Sequence, residues 1–474
     1  MRFSPMLYSL KAWILVAGVV CSSARPVGAQ TAAGSIIDRY RDPANRLIEA
    51  ALADTTAYRR LEYLTDKIGN RPSGSQALER AIDWVLATMR ADGLSQVRGE
   101  PVMVPHWLRG AESAELVAPR WLALHVLGLG GSVATPAKGI TAPVLVVESF
   151  DELAQRAAEA RGKIVLFDVP MAADEPPFVA YDEAVQYRVD GASAGARVGA
   201  LAVLIRSVAS FSIQSPHTGI MRYDSTVARI PAAALSVEDA ELLHRLQRRG
   251  DSVVIRLRMD DRMLPEAASR NAIAELSGTE RPDEVVVLGG HIDSWDVGQG
   301  AVDDGGGAMA AWEAVRLMKE LGLRPKRTVR VVLWTSEETG AVGGKAYRDR
   351  HQAELTRHIL AIETDNGVFA PTGFALRGSD SAAAVAREIG GLLERVGAAT
   401  IEREKEGPEA DAEPLANDGV PAMGLRVDAS RYFWYHHSAG DTFDKIVPAE
   451  LQRCVAALAV MAYVAADLPD PLPR

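Results

Sequence analysis

The sequence predicts an α/β protein: a mostly parallel central sheet flanked by helices, with a second, β-rich module inserted before its C-terminal half. Three observations predict it. Between residues 272 and 427, apolar runs at 284–288, 328–334, 359–362 and 422–427 alternate with amphipathic patterns at 306–321 and 381–396, as parallel strands covered on both faces require. Between residues 131 and 259 the runs become short and β-branched, at 143–147, 163–167 and 200–205, with helical patterns near 151–160 and 192–198. Finally, His291, Asp303, Glu338, Asp365 and His437 stand at or near the mouths of predicted strands, where open α/β sheets bind ligands.

Length and composition set the frame for these elements. A chain of 474 residues exceeds what one hydrophobic core usually serves, and 48% hydrophobic with 24% charged residues describes ordinary globular protein. The net charge of −10, with no basic run or aromatic-interleaved Arg/Lys stripe, argues against a nucleic-acid surface. Arg2 and Lys11, the apolar run 12–20 and the small residues Val27-Gly28-Ala29 read as a secretion signal over residues 1–29, too short for a lasting membrane anchor. A lipoprotein reading of Cys21 is disfavoured by the bulky Val20 before it. After cleavage only Cys454 remains, a small core residue within the apolar stretch 451–465, so no intramolecular disulfide forms. An exported, periplasmic or secreted protein is the expectation.

Residues 30–130 are read as the N-terminal part of the same domain as the C-terminal half; within them 33–93 alternates between helical patterns and one turn cluster at 69–75, and a helix over 76–89 packs on strands supplied later. Residues 131–260 form the inserted module and 261–474 the α/β half.

The chemistry concentrates in that half. His291 ends the run 285–290, and Asp293 two residues on can take its other ring N–H and leave a lone pair for a metal. Gly298, Gly300, Asp303, Asp304 and Gly305 to Gly307 lead into the next helix. Such a turn could cradle phosphate, but adjacent aspartates would repel an anion, and a cation is the better guest. Asp304 alone could simply cap the helix, which leaves Asp303 to be explained. The strand 331–334 runs into Glu337-Glu338, so that one carboxylate can bind metal while the other faces an attacking water. Glu363-Thr364-Asp365 repeats the acidic strand end, and either His436 or His437 could complete a second site. His106, His125, His217, His244, His351 and His358 lie in no comparable motif and are expected to be structural or exposed.

Together Gly-Gly-His291-Ile-Asp293-Ser-Trp, Asp303-Asp304-Gly-Gly-Gly, Glu337-Glu338, Glu363-Thr-Asp365 and His436-His437-Ser-Ala-Gly-Asp-Thr resemble the co-catalytic zinc peptidases of family M28, and within it the carboxypeptidase Q group. The resemblance covers nearly the whole mature chain, including the lead-in around 64–75, and no motif position departs from the pattern. It implies the zinc exopeptidase fold with a protease-associated domain as the insert. It also implies two zinc ions, with manganese or cobalt as alternatives: His291 and Asp365 at one, Glu338 and His437 at the other, Asp303 between them. His437 rather than His436 holds the ligand position of the final motif. Glu337 is then the general base, Asp293 and Asp304 support the ligands, and the Asp303–Asp304 peptide bond is cis.

The expected activity is exopeptidase hydrolysis of unblocked dipeptides or short peptides, of carboxypeptidase or dipeptidase type. The alternatives are an aminopeptidase of the same family and an exported binding protein with structural metals. Structural zinc sites usually close four ligands round one ion, often with cysteine, and leave no spare carboxylate such as Glu337. Arg431 is a candidate anchor for a substrate carboxylate. The insert is expected either to shape access to the cleft or to supply contacts of a homodimer.

Overall fold

The computed structural model describes residues 35–474 apart from Glu406 and Glu409; the leader expected at 1–29 lies outside the described residues. From Ile36 to Arg474 the chain packs as one unit. Its central sheet has eight strands in the spatial order Ser95–Leu108, Arg262–Leu276, Arg327–Trp334, Arg281–His291, His358–Glu363, Ala422–Val427, Pro371–Arg377 and Thr400–Glu404. The four in the middle run parallel, while the strands at 262–276 and 371–377 join them antiparallel, so the sheet is mixed around a parallel core.

The parallel core follows from its composition. All residues of Arg327–Trp334 and of His358–Glu363 are buried, as expected of strands sandwiched between helices. Alternate side chains serve opposite faces. Val286, Leu288, Val331 and Leu333 join the larger core, and Val285, Val287, Val332 and Trp334 join a smaller one with Tyr347 and Leu415. On the larger face lie the helices Gly306–Glu320, Ile36–Ala53 and Pro448–Asp467. The last is apolar and long enough to cross a membrane, but most of it is buried within this core, and Cys454 on it donates to the Phe369 carbonyl at 3.2 Å.

Register brings the strand mouths together. His291 lies opposite Trp334, and Gly289 opposite Glu363, so three adjacent strands release their chains almost level with one another. Gly290 permits the next step: a Cβ there would stand 2.2 Å from Asp304 Oδ2 and 2.8 Å from the Ala308 nitrogen, so only glycine lets the helix begin against the strand.

The second sheet also has eight strands, ordered Leu122–Leu124, Glu112–Ala118, Val254–Met259, Ile140–Val147, Ile164–Phe167, Ala202–Arg206, Ala232–Leu235 and Val126–Gly128. Three of these precede residue 131. The strand Glu112–Ala118 pairs with Val254–Met259, so the boundary expected at 131 falls within the chain of this sheet. Helix Pro177–Arg197 covers it, far longer than the pattern at 192–198 suggests. Its buried stripe is Ala180, Ala184, Arg188, Gly191 and Ala192, with too few large apolar residues to mark the period. The helix expected over 381–396 stops at Gly390, where a Cβ would stand 2.5 Å from the Ala399 carbonyl of the returning chain.

Candidate metal centre

The expected residues converge on one cavity of about 810 Å³, whose lining includes Asp303, Glu337, Glu338, Asp365, His436 and His437. His291 lies fully buried beside them. Its Nε2 is 3.1 Å from Asp303 Oδ1 and 3.4 Å from Asp365 Oδ1, and its Nδ1 is 3.1 Å from the Asp293 carbonyl oxygen. The Asp293 carboxylate is farther from that ring, at 3.6 Å. Its oxygens instead accept the backbone N–H groups of Glu337 at 3.0 Å and Glu338 at 3.3 Å. One aspartate therefore sets both the tautomer of His291, through its carbonyl, and the posture of the glutamate pair.

The turn between His291 and the helix is held from both sides. Asp441 accepts from the amides of Ala301, Val302 and Asp303 at 2.9, 2.6 and 3.1 Å. Arg71, wholly buried, donates to the carbonyls of Gly69, Ile292, Gln299 and Gly300 at 2.6 to 2.8 Å. Asp304 accepts from the amides of His291 and Gly307 at 3.1 and 3.2 Å, which ties the strand to the helix start, and the Asp303–Asp304 peptide bond is cis. Neither Arg71 nor Asp441 was singled out by sequence reasoning. Each stood inside a quoted segment, but a clamp made of backbone bonds leaves no pattern of its own.

Ser336, just before the glutamates, has φ of 62°, a left-handed conformation that non-glycine residues adopt where surrounding contacts hold them. Its hydroxyl meets those of Ser73 and Thr339 at 2.8 and 2.6 Å. His437 has φ of 59° and sits with Nε2 3.0 Å from Glu338 Oε2 and 3.2 Å from Asp303 Oδ2. His436 stacks on it but stands 3.6 Å from Asp303 Oδ2. At the next strand mouth Glu363 also lines the cavity, but its carboxylate is engaged by the amides of Asp411 and Ala412 at 2.9 and 2.7 Å, which leaves Asp365 to face His291. Asp411 in turn accepts from Gly344 at 2.7 Å and was not foreseen.

The helix Pro177–Arg197 and a loop of the second sheet's layer border the same cleft. The Thr218 carbonyl lies 3.3 Å from His437 Nδ1, the Thr218 amide donates to the His437 carbonyl at 2.9 Å, and Arg188 NH1 reaches His437 Nδ1 at 3.4 Å. Arg431, the anchor suggested by sequence, is placed elsewhere. Its guanidinium lies 3.5 Å from Glu450 and over the Phe369 ring, outside the cavity lining, because the aromatic turn Tyr432–Tyr435 separates the two.

Whether these residues suit a metal can be tested on their oxygens. Buried carboxylates almost always have partners, yet Asp303 Oδ2, Glu338 Oε1 and Asp365 Oδ1 are buried without hydrogen bonds. Donor atoms of His291, Asp303 and Asp365 lie within 4.8 Å of one another, as do those of Asp303, His436 and His437, with Asp303 common to both groups. Imidazole and carboxylate donors so arranged fit borderline divalent cations such as zinc.

The electrostatics agree. Burial, then the charges of Asp365, Asp411 and Glu338, push Glu337 well above the usual carboxylate range. Burial likewise raises Glu338 and Asp365. Against burial, the Asp365, Asp293 and Asp303 carboxylates raise His291 well above its ordinary value, and Glu338 with Asp303 raises His437 to about 9. Protons on the imidazoles thus do the neutralising that a cation would do in their place.

With this geometry in place, comparison with known proteins decides the family. The model of peptidase family M28 matches residues 271–462. Mouse (Mus musculus) carboxypeptidase Q is 47% identical over 441 residues, covering 92% of each chain. The chain belongs to peptidase family M28. Human (Homo sapiens) carboxypeptidase Q is also 47% identical, over 91% of this M28 chain and 90% of its own length. Among solved structures, the peptidase M28 precursor from Shewanella amazonensis SB2B superposes with a TM-score of 0.89 at 36% identity, covering 92% of this chain and 99% of that one. The fold extends to an aminopeptidase from Aneurinibacillus, with a TM-score of 0.64 at 18% identity over 90% of this chain and 97% of that one.

Proposed function

We propose that this M28 metallo-exopeptidase hydrolyses unblocked dipeptides and short peptides as a carboxypeptidase or dipeptidase, with two zinc ions as its metals. The observation that carries the reading is the 47% identity to carboxypeptidase Q along 92% of both chains. His291 and Asp365 would hold one ion, Glu338 and His437 the other, and Asp303, whose two oxygens face the two histidines, would bridge. When bound, such a pair supplies Lewis-acid polarisation of the scissile carbonyl and lowers the pKa of water.

The chain's own residues do the rest. Glu337 lines the cavity without being needed as a ligand, and its high proton affinity suits a general base that accepts the proton of the attacking water and returns it to the leaving amine. Asp293 keeps Glu337 and Glu338 diverging by holding both their amides. Asp304, Asp441 and Arg71 keep the Asp303 turn rigid. The insert at 131–260, read as a protease-associated domain, borders the cleft through Thr218 and Arg188, which supports a role in shaping substrate access. Export of the protein and its assembly as a homodimer belong to the same proposal.

Free dipeptides, N-blocked peptides and aminoacyl anilides, assayed with metal content measured in parallel, test the reading. Hydrolysis of free dipeptides that stops on chelation and returns with zinc is expected. Cleavage of anilides but not dipeptides would replace the reading with the aminopeptidase one. Metal bound without hydrolysis of any of the three would leave a binding protein.

A further inference from the structure

We propose that a second cavity, beside the metal centre and distinct from the catalytic cleft, binds a small molecule with an apolar body and a carboxylate, whose charged end is read by Arg229. The inference holds whichever end of a peptide the cleft reads. The cavity encloses about 330 Å³ and is walled by Trp107, Met221, Met263 and Trp295, with Pro72 and Ile220. It shares Ile220 and Glu338 with the catalytic cavity, whereas Glu337, His436 and His437 line the catalytic one alone. Trp295 is part of the wall between the two. Its ring packs against His437 with centroids 5.6 Å apart and against Trp107 at 6.4 Å.

The polar groups of this second cavity decide the class of ligand, and most of them are spent. Arg109 holds both oxygens of Asp296, at 2.7 and 2.9 Å. The Tyr223 hydroxyl donates to the Ile230 carbonyl at 2.6 Å and accepts from the Val133 amide at 3.1 Å. Ser73 donates to the Pro105 carbonyl at 2.7 Å, and Trp107 to the Ser132 carbonyl at 2.9 Å. Three groups remain unspent. The Trp295 indole N–H is buried without an acceptor. The half-buried ring of His106 has no hydrogen bond among the described residues. Arg229 lies exposed at the rim with no ion pair among them, its Cζ 5.6 Å from the centroid of the Tyr223 ring.

Arginine and indole only donate, and imidazole can do so. The one lining carboxylate with an orphaned oxygen is Glu338, which the metal centre claims. A ligand amine would therefore meet a cation and no free acceptor, while a carboxylate would meet a guanidinium fork that pairs with it through charge-assisted bonds. The apolar walls take the rest of the molecule. Ligand pockets run from roughly 300 to 1,000 Å³, so a cavity at the small end suits one ring on a short chain.

The test is calorimetric titration of the zinc-loaded full chain with 3-phenylpropionate, its uncharged amide, and acetate. The acid should bind, the amide about 10- to 100-fold more weakly, and acetate not measurably, since it lacks the body. Arg229→Ala should weaken the acid to the level of the amide. Met263→Glu, which sets a negative charge in the mouth, should weaken the acid by a similar factor and the amide much less. Both side chains are exposed, so the two variants should keep wild-type melting temperature, zinc content and kcat. At a saturating concentration the acid should leave KM unchanged for whichever peptide or anilide the enzyme cleaves. A KM that rises in proportion to the acid places it on the metals in the catalytic cleft and overturns the assignment. So do an affinity unchanged in both variants, an amide that binds as tightly as the acid, and no binding of the acid at all.

Discussion

Two buried polar clusters in this protein use the same residue types and do different work. Beside the strand Arg327–Trp334, His351 lies between Glu100 and Glu354 at 3.1 and 3.2 Å, His358 Nε2 meets the Tyr347 hydroxyl at 2.9 Å, and Arg330 bridges Glu275 and Tyr347 at 2.8 and 2.7 Å. Each of these groups has found a partner. At the strand mouths, two histidines and three carboxylates stand equally close, yet Asp303, Glu338 and Asp365 each keep a buried oxygen without a hydrogen bond. The lesson is that proximity of histidine and carboxylate does not by itself mark a site, and neither does a single orphaned oxygen, since Glu79 Oε1 and Asp261 Oδ2 are orphaned elsewhere; what marks it is several orphaned oxygens converging with imidazoles on one cavity.

The contrast can be broken or sharpened by experiment. Asp303→Ala removes the residue common to both ligand groups, and both metal ions and all measurable hydrolysis should be lost, read by elemental analysis and a dipeptide assay. Retention of a full metal complement would erase the distinction between the clusters. Glu337→Gln should keep the metals and lower kcat by about 10²- to 10⁴-fold, the range of a lost general base. Activity surviving at the wild-type level would remove Glu337 from that role.

Tyr347→Phe acts on the paired cluster, leaving Arg330 and His358 each short of a partner; it should cost about 1–3 kcal/mol in stability by denaturant unfolding, with metal content and kcat unchanged. The smallest effect is on pH. Burial pushes Glu363 up to about 8 and Asp441 to about 7, while the carboxylates beside it raise His437 to about 9. The folded metal-free protein therefore holds protons that the unfolded chain releases. That stabilisation is complete below the unfolded pKa values and is lost as pH rises through the folded ones. The melting temperature of metal-free protein should fall between pH 6.5 and 9, and zinc should flatten the slope, since ions bind the deprotonated ligands. A flat metal-free profile would mean these groups are not buried as described.

Much of this was legible beforehand. The four parallel strands declared themselves because burial on both faces demands unbroken apolar runs, and their mouths were marked by acidic and imidazole side chains that such runs would otherwise exclude. The antiparallel strand Arg262–Leu276 beside them was not legible in this way, since its first half is exposed or half-buried and carries no unbroken apolar run. Helix Pro177–Arg197 was half seen, because its alanines, glycine and Arg188 pack without an apolar stripe. Asp293 was expected to orient His291 through its carboxylate, and it does so through its carbonyl while the carboxylate serves the glutamates.

The sequence by itself determined the donor set and its order along the chain, because ligand chemistry resides in side-chain type and strand mouths reside in local pattern. The tertiary structure alone decided which donors are spent. Whether a donor is held where it can meet a cation depends on partners that grip its backbone or ring, such as Arg71 at the Gly300 carbonyl, Asp441 at the Asp303 amide and Arg188 at the His437 ring, each between about 140 and 250 residues away. No local pattern can carry that information, since hydrogen bonds are made by positions in space.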